Sequence, residues 1–332
     1  MTGIVQALLA DIGGTNARFA LLRDGEIGPV EHVKVADYPT VIDAVTAFLL
    51  RLGVARPPGA AIFGIAGLIT NNRVTLTNSV WTIDAAQLRE VVGFETVRLL
   101  NDFEAMAWSL PALAASDLFA LGEQRPALDA PMLVVGPGTG FGVSCLIRQG
   151  ATSYAVVTEA GHATLPATSE RQQRVIEQMR RRFDHVSIER ALSGSGLENL
   201  YEALAAADGI GVPSRDAASI TKTALDGSCS ASRAALDMFC CLLGAVCGNL
   251  ALTFGARGGV YIAGGIVPRF VDHLARSGFR KSFESKGRFE SYLREIPINV
   301  IVKPDATFVG LKAFFDRNVA ATALPAPLRS NN

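Results

Sequence analysis

The chain has 332 residues, is 49% hydrophobic, and carries 31 basic against 31 acidic side chains. That length suits two domains or one large one with a real core, and the even charge leaves no field toward nucleic acid or an anionic membrane. Five cysteines (Cys145, Cys229, Cys240, Cys241, Cys247) form no C-x-x-C pair, which argues against a disulfide frame or zinc site and for reduced thiols in the cytoplasm.

Residues 4 to 36 read as three antiparallel strands, with turns at Gly13-Gly14 and near Asp24-Gly25. No basic leader precedes them and Asp11 interrupts the opening apolar run, so no signal peptide is expected. The first turn lies in Leu8 to Arg18, LLADIGGTNAR, where an apolar strand ends at Asp11-Ile12 and turns on two glycines. Gly13 and Gly14 lack Cβ atoms, so the backbone can approach a ligand and take φ > 0. Thr15 and Asn16 add donors, and successive N–H groups in such a turn form an anion site. Asp11 can hold Mg²⁺ through water. An ordinary tight hairpin with a solvated aspartate has the same pattern.

Pro39 to Leu52 is amphipathic and predicts a helix, broken by Pro57-Pro58-Gly59. Ala60 to Ala66 is a buried strand with a turn at Gly67, and Arg73 to Leu76 a short one. Asp84 caps a helix toward Val92, with Gly93 as its stop. Val97 to Leu100 is a strand that delivers Asn101-Asp102-Phe103, and a helix follows to about Leu110. A first domain boundary is expected at Pro111, giving domains over 1–111 and 112–302.

The second half opens by repeating the first design. Met132 to Cys145, MLVVGPGTGFGVSC, is again strand, glycine turn (Gly138-Thr139-Gly140) and strand, with a third strand near Tyr154 to Thr158. Neither turn contains a lysine and no G-x-x-x-x-G-K-[ST] occurs, so this is not a P-loop. Ser169 to Ala256 is mostly helical, punctuated by Leu192 to Gly196 and by the Gly209 to Pro213 loop. Met238 to Ala256 is uncharged and nearly long enough to span a bilayer, but its glycines, Asn249 and Thr253 suit a buried central helix better. Val260 to Ala263 is a buried strand ending in Gly264-Gly265, and Ile296 to Val302 is the last strand. Ala306 to Arg317 is a final helix with Phe308, Leu311, Phe314 and Phe315 on its apolar face. Leu324 to Asn332 looks frayed.

Three groups of residues could carry chemistry. Asn101-Asp102 ends a strand, where α/β domains build their sites. Asp102 could accept a proton from an attacking hydroxyl, while an Asx helix cap is the plainer alternative. Glu159 and His162 stand three apart after a strand, and could hold neighbouring hydroxyls of one sugar ring or simply be an exposed turn. Glu189 offers a third carboxylate and Asn78 a further amide, each unremarkable alone.

In order along the chain, LLADIGGTNARFALL, LTNSVW, LLNDF, GPGTGFGV, EAGH, HVSIERALSGSGLENLY, GGVYIAGGIVPRF and GFRKSFESKGRF resemble the bacterial glucokinase family of the proteobacterial type, over about residues 6 to 317. The two glycine turns look like the phosphate loops of the wider sugar-kinase, actin and heat-shock-chaperone ATPase superfamily. The repressor/kinase group is set aside because Ala163-Thr164-Leu165-Pro166, with no cysteine, follows His162. The resemblance implies a two-domain actin-like (ribonuclease H-like) α/β fold. Each domain is then a mixed sheet flanked by helices, with the active site in the interdomain cleft and a last helix, about 303–320, returning to the first domain. It implies ATP-dependent phosphorylation of D-glucose to glucose 6-phosphate, feeding glycolysis, in a cytoplasmic homodimer with Mg²⁺. Asp102 is then the catalytic base, and Asn78, Asn101, Glu159, His162 and Glu189 hold glucose. Asp11 organises the metal. Ile12, Gly13, Gly14, Thr15, Asn16, Gly138, Thr139 and Gly140 line the phosphates, and Gly264 and Gly265 the adenosine.

Arg18 is a candidate to offset γ-phosphate charge. Ala160 stands where the family often has a second glycine, and Phe141 where leucine is more usual. A kinase for another hexose or donor shares these motifs. A sugar-sensing regulator would need a DNA-binding helix pair before the first strand, and a filament or chaperone ATPase would leave Glu159, His162 and Glu189 without purpose.

Overall fold

Apolar runs that alternate with glycine turns build two sheets of closely related design. The computed structural model describes residues 5–76, 81–150 and 152–320. These fall into two units, one of residues up to 113 together with those from 304 onward, the other spanning 114–303.

In the first unit, β1 (Val5–Ile12) and β2 (Asn16–Arg23) form an antiparallel hairpin in which Asp11 lies opposite Arg18. The expected third strand is two short ones, β3 (Glu26–Ile27) and β4 (Glu31–Lys34), both paired with β2. The Gly28 N–H donates to Leu21 O, and Pro29 has no N–H to continue the ladder, so the strand divides there. Helix α1 (Val41–Arg51) starts at a Thr40 cap and buries Val41, Val45, Phe48 and Leu49. Strand β5 (Ala60–Ile65) is buried throughout and runs parallel to β1. Strands β6 (Arg73–Thr75) and β7 (Thr82–Asp84) form a separate hairpin, the second of them too short to announce itself by alternation. Helix α2 (Ala85–Val92) has the expected Asp84 cap and left-handed Gly93 stop. Strand β8 (Thr96–Asn101) pairs parallel with β5 and feeds α3 (Asp102–Ser109).

The second unit repeats the plan. After β9 (Leu118–Ala120), strands β10 (Met132–Pro137), β11 (Phe141–Gln149) and β12 (Thr152–Thr158) form an antiparallel meander. Helices α4 (Glu170–Arg180), α5 (Gly194–Ala207), α6 (Ala217–Leu225) and α7 (Ser230–Phe254) follow. Strand β13 (Val260–Ile262) runs parallel to β10. The short helices α8 (Val271–Arg276), α9 (Phe279–Glu284) and α10 (Glu290–Arg294) lead to β14 (Ile298–Ile301), parallel to β13. The sheet orders are β3-β2-β1-β5-β8 and β12-β11-β10-β13-β14-β9. In each, a glycine-turned hairpin lies beside two parallel strands, which makes the repeat seen in the two turns a repeat of topology.

Helix α7 is long and apolar enough to cross a membrane, yet 72% of its most apolar window is buried within the protein. Phe239, Leu243 and Val246 sit in the main core of the second unit. Gly244 and Gly248 pass so close to α9 that a methyl group at either would overlap the carbonyl oxygen of Phe279 or Phe283. The lack of charge from Met238 to Phe254 therefore reflects burial within the protein.

The last helix, α11 (Ala306–Phe315), belongs to the first unit. Phe308, Leu311 and Phe315 are buried beside Leu9, Ile62 and Leu100, while Phe314 is half-buried and stacks edge-on against Trp108. Gly310 allows α11 to cross α3, because a methyl group there would overlap Ala105 O. Gly310→Ala must push the two helices apart, at about 1–3 kcal/mol. The expected result is a clearly lower thermal midpoint, and an unchanged one would contradict this packing.

Candidate active site

Asp11 ends β1 with its carboxylate almost fully buried, 5% exposed. It forms an ion pair with Arg18 across the hairpin, and Thr307 in the first turn of α11 adds a side-chain hydrogen bond. Arg18 Nη1 also donates to Asp305 Oδ1 at 2.8 Å. Asp305 precedes α11 in a left-handed conformation (φ 53°) and does not cap the helix, so its carboxylate is turned to Arg18 instead. Burial pushes the Asp11 carboxyl above the usual carboxylate range, against the opposing pull of Arg18. With two carboxylates upon it, Arg18 is not the spare cation for a phosphate that the sequence had suggested.

The turn after Asp11 closes by Gly13 N–H donating to Asn16 O at 2.9 Å. Neither Gly13 nor Gly14 adopts the positive φ that glycine permits. Thr15 and Asn16 are exposed at its tip, and Ile12 is buried beneath it.

Asn101 and Asp102 sit where β8 passes into α3. Asn101 is a helix cap in full. Its Oδ1 accepts from Phe103 N–H at 2.9 Å and Glu104 N–H at 3.3 Å, and Glu104 reaches back to the Asn101 N–H. Its amide nitrogen donates to Gly67 O at 3.5 Å. Asp102 is the first residue of α3, half-buried, with Oδ1 accepting from Phe103 N–H at 2.9 Å. Asn78 lies outside the described residues.

In the second unit, Glu159 follows β12 and His162 closes a single 3₁₀ turn. Both side chains are exposed, with His162 Nε2 3.9 Å from Glu159 Oε2. Glu189 comes from far along the chain. It is brought near by a backbone ladder in which Leu165 N–H donates to Val186 O, Ile188 N–H to Ala163 O, and Glu189 N–H to Gly161 O. The Glu189 Oε2 atom accepts the Phe141 N–H at 3.0 Å, directly beyond Gly140. Phe141 itself is a core side chain, so exchange for leucine alters packing and not this bond. Ala160 is half-buried against the same core and forms its turn without a second glycine.

The second glycine turn closes by Gly138 N–H donating to Gly140 O, and Gly138 O accepts Gly194 N–H at 2.9 Å. A methyl group at Gly138 or Gly265 would meet nothing within 4 Å, so protein packing does not demand glycine there. Open backbone at both positions suits a ligand lying against it. Gly264 differs, since its φ of +90° and its approach to Pro137 O both exclude a side chain.

No cluster of three or more His, Cys, Asp or Glu suited to a metal occurs among the described residues. Mg²⁺ does not require one, because it keeps its waters and takes one or two carboxylates plus substrate phosphates. Asp11, held by Arg18 beside the first turn, fits such a metal through water.

A family model described as Glucokinase matches residues 8–318. The chain is 45% identical to the glucokinase of Paramagnetospirillum magneticum over 307 residues, covering 92% of this chain and 95% of that one. Among solved structures, glucokinase from an Antarctic psychrotroph superposes with a TM-score of 0.86 at 33% identity, covering 92% and 97% of the two chains. A ROK family glucokinase from Streptomyces griseus, solved with glucose and AMPPNP, has a similar fold at TM-score 0.61 and 20% identity, covering 92% and 97%.

The state of Asp11 has a signed consequence. Its carboxyl is raised on folding, so between its ordinary and its raised pKa the native state holds a proton that the unfolded chain releases. Wild-type stability should lose this contribution as pH rises through that window. The stability of Asp11→Asn minus that of wild type should therefore rise with pH and then level off. Denaturant midpoints of both proteins from about pH 3.5 to 7 would show it, and a constant difference would contradict it.

Proposed function

The chain belongs to the glucokinase family and transfers a phosphoryl group from ATP to D-glucose, and from that premise we propose how its residues divide the work. The observation that carries the proposal is the junction in the second unit. There the carboxylate of Glu189, beside Glu159 and His162, is bonded to the backbone of a glycine turn with open Gly138. Polar groups suited to sugar hydroxyls and a cradle suited to phosphate are thus built as one piece.

Glu159 and Glu189 accept hydrogen bonds from glucose hydroxyls, and the His162 ring bonds a neighbouring one. The Asn101 amide nitrogen and Asn78 complete the set. An epimer that leaves one such group unpaired loses about 1–3 kcal/mol per group. Asp102 accepts the proton of the 6-hydroxyl as that oxygen bonds to the γ-phosphorus, and the bond from that phosphorus to the bridging oxygen of ADP breaks in line. The N-terminal end of α3 favours a negative charge at Asp102 throughout. The turns of residues 13–16 and 138–140 receive the phosphates through N–H groups other than those of Gly13 and Gly138, which close the turns, and open Gly265 leaves room for adenosine beside Gly264. Mg²⁺, held through water by Asp11, supplies neutralisation of the β- and γ-phosphate charge when bound.

The proposal extends to a homodimer in the cytoplasm. Strand β12 supports the first part. It is the outer strand of its sheet, seven residues long without a charge or proline, and Tyr154 and Val157 are exposed on it. Such an edge invites pairing. Buried thiols support the second, since burial pushes Cys145 and Cys240 up to about 12 and keeps them protonated.

Asp102→Asn should lower turnover by about 10²–10⁴-fold while glucose binding is largely kept. ADP release across a hexose panel, with and without Mg²⁺, gives the rates, and calorimetry gives glucose affinity. Near-wild-type turnover by Asp102→Asn would remove the base assignment. Preference for a different hexose would move the substrate and leave the mechanism.

A further inference from the structure

The second glycine turn is fastened on three sides to the segments that carry the proposed sugar ligands. Gly161, between Glu159 and His162, has no room for a side chain because a methyl group would overlap Phe141 O. Gly194, which opens α5, donates to Gly138 O at 2.9 Å. Glu189 makes the third connection, and the only one through a side chain of this sugar set, by accepting Phe141 N–H at 3.0 Å with Oε2. Its own backbone is pinned on both flanks, by Glu189 N–H to Gly161 O at 2.9 Å and by Ser193 Oγ–H to Glu189 O at 2.8 Å. Gly140 is shaped to this carboxylate, since a methyl group there would overlap Oε2.

A carboxylate has two oxygens, and here they face two tasks. Oε2 is spent on the turn, so Oε1 is the oxygen left for a glucose hydroxyl. The Phe141 N–H is correspondingly withheld from phosphate and the Gly138 N–H is taken by Gly140 O, which leaves the cradle the N–H groups of Thr139 and Gly140. A hydroxyl that bonds Oε1 fixes the side-chain torsions of Glu189 and so the Phe141 amide and the turn before it. Phosphate that orders the turn fixes Phe141 and so the carboxylate. Each ligand then pre-pays part of the ordering that the other needs.

Resting on the glucose-kinase proposal, we propose that Glu189 is a positioning residue that couples the sugar to the donor phosphates, so that glucose and ATP bind cooperatively through one carboxylate. Linkage requires the effect to be the same in both directions.

The test is calorimetric titration of glucose into the full-length protein with and without saturating AMPPNP and Mg²⁺. Wild type should bind glucose more tightly with the nucleotide, by a factor within about 5–150. Glu189→Asp is one methylene shorter and cannot serve both sides. It should still bind glucose, more weakly, with a coupling factor close to one. Glu189→Gln keeps an oxygen that accepts Phe141 N–H, and should retain coupling despite weaker glucose binding. Gly140→Ala displaces the carboxylate from the donor side and should raise the KM for glucose. Thermal melts of all three variants report whether each is folded. Coupling in folded Glu189→Asp equal to wild type, or wild type that binds glucose without coupling, would overturn the proposal. Wild type that fails to bind glucose at all would instead remove the glucose-kinase proposal on which it rests.

Discussion

A charge taken out of water must be met by partners, and at Asp11 the partners come from both ends of the chain. Arg18 lies opposite it across the first hairpin, while Asp305 and Thr307 arrive with the last helix. Removing one partner of such a group leaves an uncompensated buried charge, which costs more than the pair contributes. The constraint therefore does more than stabilise. It links the β1–β2 hairpin to the segment that opens α11, joining residues 287 positions apart beside the first glycine turn. Asp305 shows the priority of that charge network, because it stands in a left-handed backbone conformation and forgoes capping its own helix to reach Arg18.

In the second unit the corresponding constraint is steric. Gly140, Gly161 and Gly264 each lie where a side chain would strike Glu189, the Phe141 carbonyl or the Pro137 carbonyl. Backbone meets backbone at Gly161 and Gly264 and a side chain meets it at Gly140, which lets the segments carrying Gly161, Glu189 and Gly264 lie against β10, β11 and the turn between them. Gly138 and Gly265 stand beside them with open space where a methyl group would go. The contrast separates glycines that the fold requires from glycines that a bound molecule would require.

Much of this was legible in the sequence because the signals were local. A strand, two glycines and a second strand specify a hairpin wherever they occur, and Asp84 with Gly93 marked both ends of α2. What escaped was either short or non-local. Strands β7 and β9 have three residues each, too few for alternation, and each exists because a partner strand holds it. Glycine at positions 13 and 14 permits positive φ without requiring it, and the turn uses none there. Arg18 looked available for phosphate because nothing near it in sequence reveals Asp305. The bond between Glu189 and Phe141 spans 48 residues and depends on a backbone ladder that no periodicity records.

The three carboxylates given roles differ less in chemistry than in surroundings. Asp11 is buried beside an arginine, which suits the fixed charge proposed for it. Asp102 is half-buried at the start of a helix, whose end favours the negative charge that the proposed base carries. Glu189 is half-buried with one oxygen already engaged by the backbone, which leaves it unable to move independently of the turn. A proton acceptor needs an accessible oxygen, and a residue that couples two ligands needs one oxygen that is not. On the proposed assignment, exchanging their positions would lose both functions even though every carboxylate were kept, and in this sense environment rather than residue type assigns the work.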